Sequence, residues 1–400
     1  MDTHPLSSSP LPTRGSAYPL VAPVSASTGD ELEILLSMIA AKRDEFDRNG
    51  YISKDVVAQM KRVGIFRSST PKCFGGDALA PHLFLPFVER IGEVDGSAAW
   101  VAAFGSSGTY LAALPRATQA KIYATGPDQV FAGGFYPLQR AVRCEGGWTV
   151  SGRWRFASGC KGADWIGVGI DMAPEKTMPP VGAMAVCPAE EVEIIDNWDA
   201  FGMQGTGSHD THVEAKFYED EWIFARGAQG VIDEPLYRYP ALAYQAEVHA
   251  AVNLGLARAA LDLAAEMSCG AKIMPGAPRL ADRAYFRTNL AQAEAKLRSA
   301  RLFFYDAAET AWDNLLSDGE VDTNRTNLLR LSATHAAHEA AEVVQQLFRI
   351  VGMPAIHHTH RMQKILRDTM VVTQHAALSE ATLEAAGAIF AGMKPPSGYP

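Results

Sequence analysis

The hydropathy pattern predicts a mainly helical protein with a β-barrel domain set into its middle. Three observations carry this. The first third shows only helical spacing of apolar residues. Seven short β-type runs, punctuated by Gly or Pro, then crowd together after position 129. From about Pro240 to Met393 the chain returns to long Ala- and Leu-rich stretches with helical periodicity. The expected organisation is a disordered lead-in (1–29), an N-terminal helical domain (30–128), a β-barrel domain (129–235), a C-terminal four-helix bundle (236–394) and a short tail (395–400).

Residues 1–29 are rich in Ser, Pro and Thr and lack periodicity. Asp30, with Glu33 three positions on, reads as a capping box. Leu32, Leu35, Leu36 and Ile39 continue as a helical stripe. Ser53 and Gly64 bracket a second helix, and helical pattern covers Pro81–Val94 and Ser97–Leu114, with Pro115 opening another turn. The β-type runs are Val130–Phe135, Arg140–Glu145, Thr149–Phe156, Trp165–Asp171, Val181–Cys187, Val192–Trp198 and Thr211–Tyr218; that many short runs suggest a small barrel or sandwich. Tyr244–Cys269, Arg279–Ser317, Asn324–Val351 and His360–Ala391 supply the four bundle helices. Helices this long and Ala-rich bury more than one face, which points to a homo-oligomer.

Composition excludes several classes. Hydrophobic residues at 48% and charged residues at 20% do not fit a mainly disordered chain. A net charge of −9 argues against a general nucleic-acid binder. No apolar run is long enough to span a membrane, and Met1–Thr28 lacks the basic and apolar regions of a secretory signal, so a cytoplasmic protein is expected. Cys73, Cys144, Cys160, Cys187 and Cys269 form no C-x-x-C pair and read as reduced thiols. There is no P-loop, dinucleotide fingerprint or G-x-S-x-G elbow. No histidine follows a Glu at the Glu-x-x-His spacing, so no metal is expected; His357, His358 and His360 read as interfacial or site-lining residues.

The informative segment runs from Trp148 to Trp165. A strand leads up to an aromatic, Phe156; a hydroxyl, Ser158, and two glycines, Gly159 and Gly162, follow. Glycine lets backbone approach a ligand closely, an aromatic can cover a flat ring, and a hydroxyl can bond a ring nitrogen. With the helix–barrel–bundle order, this segment resembles the acyl-CoA dehydrogenase superfamily over about residues 30–393. Trp198-Asp-Ala-Phe-Gly-Met-Gln-Gly-Thr-Gly-Ser208 is similar to its Gly-Met-x-x-[ST] loop. Gln345-Gln346 with Gly352 resembles its Gln…Gly stretch, which reaches a neighbouring subunit's cofactor. Arg367-Asp368 resembles the Arg-Asp before its catalytic loop.

One departure matters. The dehydrogenases place a catalytic Glu shortly after that Arg-Asp, and here His375 stands in the region instead. Together with Asp95-Gly-Ser-Ala-Ala-Trp100 and Phe131-Ala-Gly-Gly-Phe-Tyr-Pro137, this resembles the group D flavin-dependent monooxygenases. That branch includes the oxygenase component of 4-hydroxyphenylacetate hydroxylase and dibenzothiophene monooxygenase. The resemblance implies an oxygenase component that takes reduced flavin (FADH2 or FMNH2) and O2, works through a C4a-hydroperoxide, and oxygenates a small aromatic substrate. It also implies a separate NAD(P)H:flavin reductase and a homotetramer. His375 and Ser158 are the implied catalytic residues. Phe156, Ser158, Gly133, Trp198, Thr206, Gln346 and Gly352 are the implied flavin contacts, and Trp100, Phe104, Tyr110 and Phe135 could line the substrate pocket. The alternative is an acyl-CoA dehydrogenase-like dehydrogenase or oxidase whose base is displaced to Glu247.

Overall fold

The computed structural model describes residues 26–173, 178, 180–270, 278–396 and 399. Most of the predicted lead-in, and half of the tail, lie outside these residues. Its last four positions do not: helix α1 runs over Ala26–Asn49, so Asp30 sits inside a helix and caps nothing. The expected stripe is right, with Leu32, Leu35, Leu36 and Ile39 all buried. Helix α2 (Lys54–Val63) ends on Gly64, whose φ of +91° is the left-handed cap that glycine adopts without strain. Helix α3 spans Pro81–Gly92.

The predicted helix over 97–114 breaks into α4 (Gly96–Ala102), a 3₁₀ turn (Ala103–Ser106) and α5 (Gly108–Leu111). The cause is close packing against the preceding chain. A β-carbon on Gly105 would lie 2.3 Å from the Ile65 carbonyl oxygen, and one on Gly108 would lie 2.2 Å from that of Ser69. Helix α6 (Arg116–Ile122) completes this layer.

The seven β-type runs account for six strands of a seven-stranded sheet, since Val130–Phe135 and Arg140–Glu145 join into one strand and the last strand lies outside the expected runs: β1 (Phe131–Cys144), β2 (Gly147–Ala157), β3 (Trp165–Asp171), β4 (Gly182–Pro188), β5 (Glu193–Ile195), β6 (His209–Glu219) and β7 (Ile223–Ala225). The spatial order is β5-β6-β2-β1-β3-β4-β7, so the expected barrel is corrected to an open sheet. The edge strands β5 and β7 are three residues each and pair only with β6 and β4, so the two edges of the sheet do not meet. All neighbours are antiparallel except β1 and β3.

Helices α7 (Ala241–Cys269), α8 (Ala284–Asp318) and α9 (Thr323–Val351) form the long part of the C-terminal bundle. The fourth predicted helix is interrupted. Helix α10 (Arg361–Val372) stops, a 3₁₀ turn covers Ala376–Leu378, and α11 (Ala381–Phe390) resumes. Buried side chains from α1–α4 and from α7–α10 belong to one hydrophobic cluster, while the sheet encloses a second around Trp154, Ile166 and Val168. No described helix is long and apolar enough to cross a membrane.

One buried ammonium ties these layers together. Lys364 Nζ on α10 lies 2.9 Å from Asp47 of α1, 3.0 Å from Asp368 and 3.5 Å from Asp95, which caps α4 by accepting from the Ala98 N–H at 2.9 Å. Burial works against the Lys364 charge, but the three carboxylates outweigh it and raise its pKa above the ordinary lysine range. Breaking a buried ion cluster by removing one partner costs about 3–5 kcal/mol, because the remaining charges stay desolvated. Lys364→Met is therefore expected to lower the denaturant-unfolding free energy by about that amount. A loss under about 1 kcal/mol would mean that solvent reaches the cluster.

Candidate active site

Helix α4 stands at the centre, and three structures converge on it. At the end of β2 the chain turns over Phe156, a non-glycine residue at φ +63° whose ring is 64% exposed. That combination is costly, since it joins left-handed backbone to an aromatic surface left in water. The Trp198 ring stands edge-on to Phe156 at 6.2 Å. The second structure is the 198–208 loop. Its Asn197 and Trp198 N–H groups donate to His209 Nδ1 at 3.1 and 3.0 Å, and its Met203 N–H donates to Asp368 Oδ1 at 2.6 Å. Arg367 donates to the Phe201 carbonyl at 2.9 Å. The Arg367-Asp368 pair thus acts as a brace for this loop. Gly205 is required there, because a β-carbon would meet Phe46 Cβ at 2.8 Å and Ser97 Cβ at 3.0 Å.

Between these two structures runs a chain of buried hydroxyls whose polarity can be counted. Thr206 Oγ1 donates its one proton to the Met203 carbonyl at 2.7 Å. The 2.7 Å bond between Thr206 and Ser208 must then use the Ser208 proton, and the 2.6 Å bond between Ser208 and Ser158 must use the Ser158 proton. Each hydroxyl has one proton and two lone pairs. Ser158 is left with lone pairs only, and offers an acceptor beside Phe156.

The third structure is a group of rings at the other end of α4. Trp100 lies 4.1 Å from His249 of α7 and 5.5 Å from His375, and the two imidazoles are 4.3 Å apart. His375 interrupts the fourth bundle helix and caps the Ala376–Leu378 turn, its Nδ1 accepting from the Ala377 N–H at 3.3 Å. That leaves its proton on Nε2. His249 is the opposite: its Nδ1–H donates to the Gln245 carbonyl at 2.7 Å, so Nε2 carries a lone pair. Burial, then the nearby Arg226 charge, pushes the His375 pKa down to about 4. Burial, then the charge of His375, holds His249 well below its ordinary range. Both are neutral at pH 7, one presenting a donor and the other an acceptor.

The structure brings most of the expected site residues together. Phe156, Ser158, Trp198 and Thr206 share one wall, Trp100 and His375 the other. Phe104 joins them, its ring 3.6 Å from where a β-carbon of Gly159 would be. Tyr110 is half-buried, with its hydroxyl 3.4 Å from the Ala241 carbonyl, and Phe135 packs beneath the Arg226 guanidinium at 4.6 Å. Gly133 is accounted for by the sheet itself: a β-carbon there would lie 2.3 Å from the Gly167 carbonyl oxygen across the β1–β3 pairing. Gln346 and Gly352 lie at the far end of α9. Gln346 donates to Asn289 Oδ1 of α8 at 2.9 Å and, with Gln345 and Arg349, lines a cavity of about 660 Å³; Gly352 ends the helix at φ +80°. His360 caps α10 through Met362 N–H at 3.2 Å, a structural task.

Glu247 does not reach the rings. It is fully buried, with the Tyr239 hydroxyl 3.2 and 3.1 Å from its two oxygens, and burial pushes its pKa up to about 8. Two positions along a helix point it away from His249. His249 itself escaped the sequence reading, because a lone histidine on an apolar helix carries no spacing signal. His209, which holds the 198–208 loop, escaped for the same reason.

Comparison with known proteins gives the family and the fold. Residues 247–380 match the family model described as acyl-CoA dehydrogenase, C-terminal domain. The indole-3-acetate monooxygenase of Pseudomonas putida is 45% identical over 382 residues, which cover 94% of this chain and 98% of that protein. The flavin-dependent monooxygenase oxygenase subunit HsaA of Rhodococcus jostii is 24% identical over 358 residues, covering 86% and 93%. Among solved structures, XiaF from Streptomyces in complex with FADH2 and glycerol superposes with a TM-score of 0.87 at 22% identity, covering 94% of this chain and 97% of that one.

The depressed His375 pKa sets a pH dependence. An unfolded histidine titrates near pH ~6.5, so the unfolded chain takes up a proton there while the folded chain resists until about pH 4. The stabilising contribution of the neutral ring is complete above the unfolded value and is lost as pH falls through that window. His375→Asn removes the titration. The difference in melting temperature between wild type and this variant is expected to shift against the wild type between pH ~7.5 and ~4.5. A constant difference would place His375 in contact with solvent.

Proposed function

The chain belongs to the flavin-dependent monooxygenases, as an oxygenase component built on the acyl-CoA dehydrogenase fold, and we propose that its substrate is an indole-type aromatic acid of the indole-3-acetate class. It uses reduced flavin and O2, and as an oxygenase component it works with a separate reductase. Under this reading the reductase is an NAD(P)H:flavin reductase, and the assembly is a homotetramer. Exposed Met353 and Ile356, directly after Gly352, support the latter, since they leave apolar surface for a neighbouring copy.

The residues present fit the flavin. An exposed aromatic held at a strained backbone position needs a flat partner to cover it, and Phe156 with Trp198 forms a ledge for one. The acceptor-only Ser158 beside that ledge carries the reading. In reduced flavin N5 bears a proton, whereas in oxidised flavin it bears a lone pair. Ser158 can accept from the first and only repel the second. When bound, reduced flavin would supply the two electrons that activate O2, one atom of which goes to the substrate and the other to water. Around it, Ser158 holds the proton at N5, and His375 offers its Nε2–H as a donor to oxygen. The His249 Nε2 lone pair accepts an N–H or O–H from the substrate, and a ring nitrogen of indole type is such a donor. Trp100 and Phe104 close the space between, excluding water that would otherwise divert the oxygen to hydrogen peroxide.

Turnover of indole-3-acetate with reduced flavin under O2 is expected to give a product one oxygen heavier by mass spectrometry; peroxide alone would reject the indole-acid reading. Thr206→Val tests the hydroxyl chain. Without the Thr206 proton the order is no longer forced, Ser158 can turn its own proton outward, and discrimination between reduced and oxidised flavin should narrow by about three- to tenfold, one hydrogen bond's worth. Ser158→Ala should raise the peroxide released per substrate consumed. Unaltered flavin discrimination in Thr206→Val, by titration of both redox states, would separate Ser158 from N5.

A further inference from the structure

Along one face of α9, three buried polar groups lack partners among the described residues: Asn327 Nδ2, Arg330 Nε and Thr334 Oγ1. Their spacing of three and four residues puts them on one side of the helix. The same face continues to His338, whose Nε2–H donates to the Leu378 carbonyl at 2.9 Å, so it looks onto the turn that carries His375. The Asn327 carbonyl oxygen is already occupied by the Tyr399 hydroxyl at 2.7 Å, which leaves its amide N–H₂ free to donate. The Tyr399 ring lies 5.2 Å from the Arg330 guanidinium, but no carboxylate among the described residues pairs with Arg330.

A second unpaired guanidinium faces the same region from the sheet. Arg226 follows β7, lies over Phe135, and bonds the Tyr136 hydroxyl at 3.3 Å, again with no described carboxylate partner. Its positive charge is near enough to act on His375, Tyr110 and Arg330. Two like charges that close, one of them largely buried, are unfavourable unless an anion sits between them. None of the described residues supplies one.

We propose that Arg330, with the Asn327 amide and with Arg226 opposite, anchors the carboxylate of the substrate, making this enzyme selective for indole acids over neutral indoles. This rests on the indole-acid reading above. A carboxylate meets a guanidinium side-on through two charge-assisted hydrogen bonds and can take a third from the Asn327 amide. The acid is then held at the α9 end of the space, with the ring carried toward Trp100, His249 and His375. An anion could also come from a flavin phosphate, and the test must tell the two apart.

The test uses the whole enzyme with saturating reduced flavin, comparing indole-3-acetate with 3-methylindole, which has the same ring but no carboxylate. Arg330→Gln should raise KM for indole-3-acetate by at least about tenfold while moving that for 3-methylindole less than about twofold, with reduced-flavin affinity unchanged. Arg330→Lys should restore part of the selectivity. Arg226→Gln, at an exposed position, should narrow the same ratio by about threefold, and keeps the idea testable if Arg330→Gln is unstable. Equal losses on both substrates, or weakened reduced-flavin binding, overturn the anchor. An unmoved ratio in an enzyme that oxygenates indole-3-acetate overturns the anchor alone; a wild type inert toward every indole acid overturns the reading beneath it as well.

Discussion

The ammonium of Lys364 is the point from which the site is built. Three carboxylates from α1, the α4 cap and α10 converge on it in the protein interior, where charges separate only at a large cost. Each contact fixes an element the site needs. Asp95 begins α4, which presents Trp100 one turn on and Phe104 beyond it. Asp368 spends one oxygen on Lys364 and the other on the Met203 N–H, so the cluster reaches the 198–208 loop directly. The Arg-Asp pair before the His375 turn is therefore architectural. Arg367 holds the loop at Phe201, Asp368 holds it at Met203, and neither touches the rings.

From Met203 the constraint becomes one of proton direction. Its carbonyl accepts from both the Trp198 indole N–H and the Thr206 hydroxyl. The first bond orients the edge-on partner of Phe156; the second starts the relay that ends at Ser158. The orientation of an aromatic ledge and the polarity of a hydroxyl beside it share one carbonyl, whose residue is held by Asp368. The imidazoles follow the same logic. Backbone groups on the far side of each ring, Ala377 N–H and the Gln245 carbonyl, decide which nitrogen of His375 and His249 carries the proton. In both cases groups that meet no ligand settle what the ligand meets.

This explains how far the sequence could be read. Periodicity located every long element, because the apolar stripes of α1, α7, α8 and α9 are continuous. It failed where tertiary contact overrides local pattern. The 97–114 stretch breaks because Gly105 and Gly108 press on the chain before them. The fourth bundle helix breaks at His375, whose ring takes a backbone N–H that a helix would have used. The expected barrel is instead an open sheet with β5 and β7 at its opposite edges, and strand count alone carries no information on closure. Resemblance singled out Phe156, Ser158 and Thr206, which the fold brings onto one wall; the direction of the hydroxyl hydrogen bonds was not legible, since it depends on which carbonyl Thr206 meets. Gly133 looked like a cofactor approach and instead admits a neighbouring strand. His249 was invisible, and only the fold sets it against Trp100.

The charges complete the design. The groups on the two walls are neutral at pH 7: two imidazoles with depressed pKa values, a serine and aromatic rings. The positive charges stand apart from it, on Arg226 and Arg330. After burial, the Arg226 charge is what keeps His375 from taking a proton. A carboxylate held as proposed would offset that field, while burial, the larger cause, would still favour the neutral ring. The Nε2–H would then remain the only proton His375 offers, fixed there by the Ala377 N–H on its other nitrogen. The anchor proposed on Arg330 would bear on His375 only through Arg226 opposite it.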